Sequence, residues 1–288
     1  MNGLALNNLK SPTQIFNDEG ILFYPRLFEG EELERLRDAC EGILEHYYAN
    51  ARAQNPGGGE NAISMRHLND PQYTPDHPED WRLIMETIAD PRCLGPVEQI
   101  FRGESLFRTT SLFFNPRSDS FEGNWHRDHQ FVLTDEDAVK AYFAAKQKDG
   151  PTTFEGIQLQ IALVDNEDIE YVPFSPGRYD SPEEYYYRCA DDRVHNTEPG
   201  MPNAMRIHQR AGDAVIFNPA GLHRGRYHID KARRTLMLTY TPRQNPYNDY
   251  FSHQPWMLAD GHLDAVSPRC RVYFQDFIDV YRDYWLEK

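Results

Sequence analysis

His126-Arg127-Asp128, with His223 far downstream and Arg234 a strand's length beyond it, is the set of residues best able to do chemistry in this chain. Side chains at i and i+2 of an extended strand leave the same face, so His126 and Asp128 can converge on one point while Arg127 turns away. His223, arriving on a distant strand, would complete two imidazoles and one carboxylate on one side of a metal. That facial arrangement leaves open coordination positions on non-haem Fe(II), where substrates can bind. The triplet alone says little, because the chain holds 11 histidines and two further His-x-Asp runs, His228-Ile229-Asp230 and His262-Leu263-Asp264. Neither of those has a later histidine at a separation that admits several strands, followed by an arginine one strand on. His129 and His228 read as hydrogen-bonded bystanders.

The elements that would position these residues are strands in the middle of the chain and helices around them. Residues 105–115, 156–165, 214–218 and 235–240 show period-two alternation or short apolar runs, which predict strands. Together they predict a double-layered antiparallel barrel. Residues 20–24 predict an earlier strand, and 29–51 an amphipathic helix with acidic residues in its first turns. Residues 81–101 look helical with a break at Asp90-Pro91, residues 135–150 predict an inserted helix, and 272–285 a terminal helix packed on the barrel. Two long segments, 53–77 with Gly57-Gly58-Gly59 and 176–202 with Tyr185-Tyr186-Tyr187, read as a loop and an insertion. The glycine run is not followed by Lys-Ser or Lys-Thr, so it is not a nucleotide-binding loop.

Composition bounds the partners. A length of 288 residues is compatible with one large domain, with a helical N-terminal part over about 1–104, a barrel core over about 105–245 and a C-terminal helical segment over about 246–288. A net charge of −15 disfavours nucleic acid, whose phosphates call for a basic surface. Cys40, Cys93, Cys189 and Cys270 are dispersed and form no Cys-x-x-Cys pair, a reduced pattern that predicts a cytoplasmic protein. No run of apolar residues predicts a membrane span or a signal peptide.

The order of several motifs resembles the phytanoyl-CoA dioxygenase family of Fe(II)- and 2-oxoglutarate-dependent oxygenases. The resemblance starts at Phe16-Asn17-Asp18-Glu19-Gly20 and passes through Phe28, Glu32-Leu33 and Trp125-His126-Arg127-Asp128. It continues with Ala162-Leu163-Val164-Asp165 and Tyr171-Val172-Pro173, and ends with Ala211-Gly212-Asp213-Ala214, Phe217, His223 and Arg234. One departure stands out: Phe174-Ser175-Pro176-Gly177 replaces the Gly-Ser-His that often follows the proline.

The resemblance implies a double-stranded β-helix, a jelly-roll barrel of the cupin kind, with His126, Asp128 and His223 as iron ligands. It implies that 2-oxoglutarate and O2 act as cosubstrates, and that Arg234 pairs with the remote carboxylate of 2-oxoglutarate. A guanidinium fork suits that role. Arg233 competes for it, because neighbours on a strand face opposite ways and only one arginine can point inward. Gln158 and Gln160 share a strand face and are candidates to hydrogen-bond cosubstrate or substrate, against a solvent-facing alternative. The implied reaction is hydroxylation of a small polar metabolite or natural-product intermediate, with release of succinate and CO2; Asp128 argues against halogenation, since halogenating relatives lack that carboxylate. Two rivals are a zinc hydrolase of the metallo-β-lactamase kind, in which Asn124 would stand where a first histidine belongs, and a non-catalytic ligand-binding barrel. Substrate identity and oligomeric state are not legible.

Overall fold

The computed structural model describes residues 10–54, 61–133, 135–149 and 156–287. The glycine run at 57–59 and the first nine residues lie outside them. Helix α1 (Pro12–Glu19) opens with a capping box between Ser11 and Gln14, carries Pro12 where its missing N–H costs nothing, and stops at Gly20, whose φ of +79° suits glycine. Strand β1 (Ile21–Tyr24) leads to the long helix α2 (Gly30–Gln54). A short strand β2 (Ser64–Arg66), a 3₁₀ turn at Pro71–Tyr73 and the helices α3 (Pro78–Ile88) and α4 (Pro91–Phe101) follow, the last capped by the Asp90 carboxylate.

Strands then dominate. They are β3 (Ser105–Phe114), β4 (Phe121–Glu122), β5 (Ile157–Ala162), β6 (Asn166–Tyr171), β7 (Met205–Gln209), β8 (Ala214–Phe217), β9 (His223–Tyr227) and β10 (Arg234–Pro242). Helix α5 (Glu136–Asp149) precedes β5, α6 (Pro182–Arg188) sits between β6 and β7, and α7 (Pro268–Leu286) closes the chain. The strands form a six-stranded sheet in the order β1-β8-β5-β10-β3-β2 and a four-stranded sheet in the order β4-β9-β6-β7, and the pairings are antiparallel.

The side chains of the larger sheet divide cleanly by parity. Leu112, Phe114, Leu159, Ile161, Ile216, Leu236 and Leu238 face outward and join α2, α3, α4 and α7 in one apolar cluster that reaches from Phe16 to Trp285. Val215 and Phe217 face inward and meet Ile169, Tyr171 and Ile207 of the smaller sheet. Each such leucine or phenylalanine removed from water contributes about 1.5–3 kcal/mol, so the helix layer and the sheet-to-sheet contact fix the barrel's shape. This is a double-stranded β-helix with flanking helices, mainly β in its core.

The structure departs from the sequence reading in three places. The larger sheet takes in β1, the early strand expected at 20–24, and β2, both from the N-terminal part, so it reaches beyond residues 105–245. β2 lies inside the segment read as a loop, because its three residues carry no period and are held only by pairing with β3. The His-x-Asp run does not lie in a regular strand. His126 forms an isolated bridge with His223, and Asp128 already begins a 3₁₀ turn, Asp128–Phe131.

Candidate metal centre

His126, Asp128 and His223 each offer one ligand atom, and these atoms lie within 4.8 Å of one another. Asp128 Oδ1 is 3.5 Å from His126 Nε2 and 3.4 Å from His223 Nε2. Arg127 between the ligands is extended, with φ −124° and ψ 133°, so the alternation that brings His126 and Asp128 to one side survives without a full strand. Two reciprocal backbone hydrogen bonds of 3.0 Å join His126 to His223. Each imidazole donates its Nδ1–H to a carbonyl two residues upstream, His126 to Asn124 at 2.7 Å and His223 to Gly221 at 2.9 Å. That fixes the tautomer and leaves both Nε2 lone pairs aimed at the shared point. Gly221 is required there, since a Cβ would collide with the Tyr171 hydroxyl, which itself donates to the Gly20 or Asn218 carbonyl.

The electrostatics suit a cation. Burial opposes ionisation of Asp128, but with no cation bound the His126 and His223 rings, once protonated at Nε2, outweigh it and hold the carboxyl well below the usual range. Burial likewise pulls His126 down, yet the Asp128 hydrogen bond and charge raise it above its ordinary value; His223 is lowered by burial and by the His126 ring. Asp128 is the most open of the three, 35 % exposed, which leaves room on one side of the ligand set.

Arg127 does turn away, and it enters a buried ion network. Its Nε and Nη2 donate to Asp180 Oδ1 at 2.9 and 2.7 Å, and its Nη1 donates to the carbonyls of Ser175 and Ala220 at 2.9 and 2.5 Å. Arg188 of α6 donates to the other Asp180 oxygen and to Glu136 of α5 at 2.5 Å. One guanidinium thus fastens the His-x-Asp run to the turn that delivers His223.

Inside the barrel, register fixes the lining. Gln158 and Gln160 both face inward and are buried. Gln158 Nε2 donates to Asp128 Oδ2 at 2.5 Å, so it touches a ligand of the centre; Gln160 Nε2 reaches Met237 Sδ at 3.6 Å and its Oε1 has no partner. Thr235 and Met237 of β10 pair with Ala162 and Gln160 of β5, which places them on this inner face. Arg233 belongs to the same parity, and Arg234 to the other. Arg234 therefore faces the helix layer, where its Nε lies 2.6 Å from Glu41 of α2, contrary to its assignment as the inward arginine. Arg233 is 2 % exposed; its Nη1 donates to the Arg226 carbonyl at 3.0 Å, its Nε lacks a hydrogen-bond partner, and its nearest acid, Asp168, is 3.8 Å away.

The donor set fits ferrous iron, and the interior fits a keto diacid beside it. Ser111 Oγ, Thr235 Oγ1, Gln160 Oε1 and Arg233 Nε are buried without partners on the inner face. Buried polar atoms are rarely orphaned in a folded protein, so a cluster of them beside a ligand set is what a polar cosubstrate would satisfy.

Other residues singled out in the sequence have structural roles. Trp125 packs with Val172, Met201 and Leu222, with Tyr187 against them. His129 stacks on Tyr142 at 4.7 Å, and burial lowers it to about 4. His228 is outside the ligand cluster. Tyr185, Tyr186 and Tyr187 lie on α6, and Tyr186 stacks on His195. In the divergent loop, Ser175 is fully buried and bonds the Val172 carbonyl and the Leu222 amide, while Phe174 takes φ +63° and is exposed. Asp180 and Asp168 escaped notice in the sequence because each is a single residue with no local pattern. Asn124 offers its carbonyl to His126 and not a fourth ligand, and the antiparallel strands around it differ from the alternating strand and helix units of the zinc hydrolases.

Residues 16–235 match the family described as phytanoyl-CoA dioxygenase (PhyH). Ectoine dioxygenase of Halomonas elongata is 22 % identical over 281 residues, covering 88 % of this chain and 76 % of that protein. Among solved structures, AviO1 from Streptomyces viridochromogenes Tue57 superposes with a TM-score of 0.57 at 15 % identity, over 82 % of this chain and 96 % of that one. EctD from S. alaskensis with bound Fe gives a TM-score of 0.55 at 18 % identity, over 86 % and 82 % of the two chains. These structural likenesses extend to the fold.

Proposed function

Since this chain belongs to the phytanoyl-CoA dioxygenase family and is a 2-oxoglutarate-dependent dioxygenase working with iron and O2, we propose that His126, Asp128 and His223 hold its ferrous ion and that it hydroxylates a small polar metabolite or natural-product intermediate. The observation that carries the assignment is the convergence of two Nε2 lone pairs and one carboxylate oxygen within 4.8 Å, each imidazole locked by a carbonyl. When bound, iron, 2-oxoglutarate and O2 supply the oxidation of a C–H bond coupled to formation of succinate and CO2.

The protein's own part is positional. Gln158 holds the free oxygen of Asp128 and so restrains the carboxylate to one ligating oxygen. Arg233, at the inner end of β10, is the receptor for the remote carboxylate of 2-oxoglutarate, with Thr235, Ser111 and Gln160 as the remaining polar contacts. Tyr171, Phe217 and Ile169 form the apolar floor that keeps bulk water from this end of the barrel.

The test is O2 uptake and succinate formation with ferrous iron and 2-oxoglutarate. His126→Ala and Asp128→Ala should each abolish both, and a zinc hydrolase would act without O2. A non-catalytic barrel would bind and turn nothing over. Succinate formation that survives His126→Ala would end the assignment.

A further inference from the structure

Arg66 is a second guanidinium on the barrel's inner face, partly exposed at its edge. It ends the edge strand β2, where it pairs with Ser111 of β3, which in turn pairs with Met237 of β10 and through it with Gln160 of β5. Arg66 is thereby in the same transverse row as the inward residues next to the ligand set, two strands or about 10 Å from β10. Its guanidinium lies 5.1 Å from the Phe113 ring and 5.9 Å from Phe251, and the Arg233 guanidinium lies 5.4 Å from the same Phe113. Phe113 thus has two guanidiniums against it, one deep and one at the barrel's open edge.

The two differ in their partners. Arg233 has Asp168 as a distant counter-charge, whereas among the described residues Arg66 has no acidic partner, and its Nη1 is buried without a hydrogen bond. Arg66 is partly exposed, but its buried Nη1 is a donor without an acceptor, which a ligand could satisfy. Burial lowers the Arg66 pKa, and the negative charge of Asp128 opposes that, so the two groups act on one another across the interior.

Arg66 also lines a cavity of about 350 Å³ with Tyr47, His67, Tyr73, Tyr250 and Trp256. His67 is depressed to about 4 by burial first and then by Arg66, so it adds no charge beside Arg66 near neutrality; His253 is the other imidazole on the wall. The one acid on its wall, Asp70, is engaged by the amide and side chain of Gln72 at 3.0 and 2.6 Å. Trp256 Nε1 is a second buried donor without an acceptor. Two orphaned donors, one cationic, between aromatic faces describe a receptor for an acceptor-rich planar anion.

We propose that Arg66 is the specificity-determining residue for the primary substrate, which carries a carboxylate that Arg66 anchors while its planar apolar part packs among the aromatic residues of this cavity. The proposal rests on the oxygenase reading only in calling this occupant a substrate.

The experiment titrates the full-length protein by calorimetry with benzoate, phenylacetate and indole-3-acetate and with their primary amides. It is done without turnover, both metal-free and under anaerobic ferrous iron with 2-oxoglutarate. The acids should bind about 10- to 100-fold more tightly than the amides. Arg66→Met should remove that difference, and Arg66→Lys should retain part of it. The melting temperature of Arg66→Met should equal or exceed that of the wild type, because a donor buried without an acceptor has been removed. Equal affinity of acids and amides, no binding of any acid, acid binding indifferent to Arg66→Met, or a lowered melting temperature would each overturn the proposal. So would loss of 2-oxoglutarate affinity without loss of acid affinity. A wild type that makes no succinate refutes the oxygenase reading separately, since these titrations need no chemistry.

Discussion

Arg233 and Arg234 are chemically identical neighbours that leave the chain on opposite sides of the larger sheet, so their removal has different consequences. Arg233→Gln should weaken 2-oxoglutarate binding by two orders of magnitude or more, roughly the worth of a charge-assisted bidentate contact. Arg234→Gln removes only a partly exposed pair with Glu41 and should cost about 1 kcal/mol of stability or less, with cosubstrate affinity intact. Dissociation constants for 2-oxoglutarate and melting curves of the two variants check this; the reverse pattern would restore Arg234 to the role. The convergence of His126, Asp128 and His223 was legible in the sequence because the i, i+2 pair is a local signal and a later histidine on a strand could meet it. The facing of the arginines was legible too, but in their companions. Leu236 and Leu238 share Arg234's parity and Thr235 and Thr239 share that of Arg233, and leucines go to the helix-covered face.

At the scale of elements, the ion network of Arg127, Asp180, Arg188 and Glu136 couples α5 and α6 to the ligand-bearing turns. Arg127 and Asp180 are fully buried, and removing one partner leaves the other unpaired, at a cost of about 3–5 kcal/mol. Asp180→Asn should therefore lower the melting temperature and weaken iron binding together, although Asp180 is not a ligand; an unchanged iron affinity would show that the network only holds the two helices. The main helices α2, α3, α4, α5 and α7 were readable from apolar periodicity, as were β1, β3, β5, β8 and β10. The smaller sheet was not. β9 carries two arginines and a glycine, β6 carries three acidic residues, and β7 alternates weakly, so their extended form comes from pairing with each other and not from local preference.

For the whole molecule, iron and 2-oxoglutarate bound at the proposed site would join the two sheets, since His223 comes from the smaller sheet and Arg233 precedes β10 of the larger. Their binding should raise the melting temperature by about 5 °C at saturating concentrations. That gain should depend on pH. His126 is held above its ordinary 6.5, and the metal competes with a proton for Nε2, so the gain should be full on the alkaline side of that raised pKa and fall away as pH drops through it. Asp128, held low, stays ionised throughout this window. Melting curves with and without ferrous iron across pH 5–8, a range set by imidazole titration, measure it, and a gain that persists at the acid end would discount His126 as a ligand. The strand order carries a last consequence, for biosynthesis. β10 is the final strand to leave the ribosome, yet it sits between β3 and β5 in the middle of the sheet. Until it emerges, both neighbours present unpaired apolar edges, so nascent chains should depend on chaperones and slow translation far more than the finished enzyme's stability would suggest.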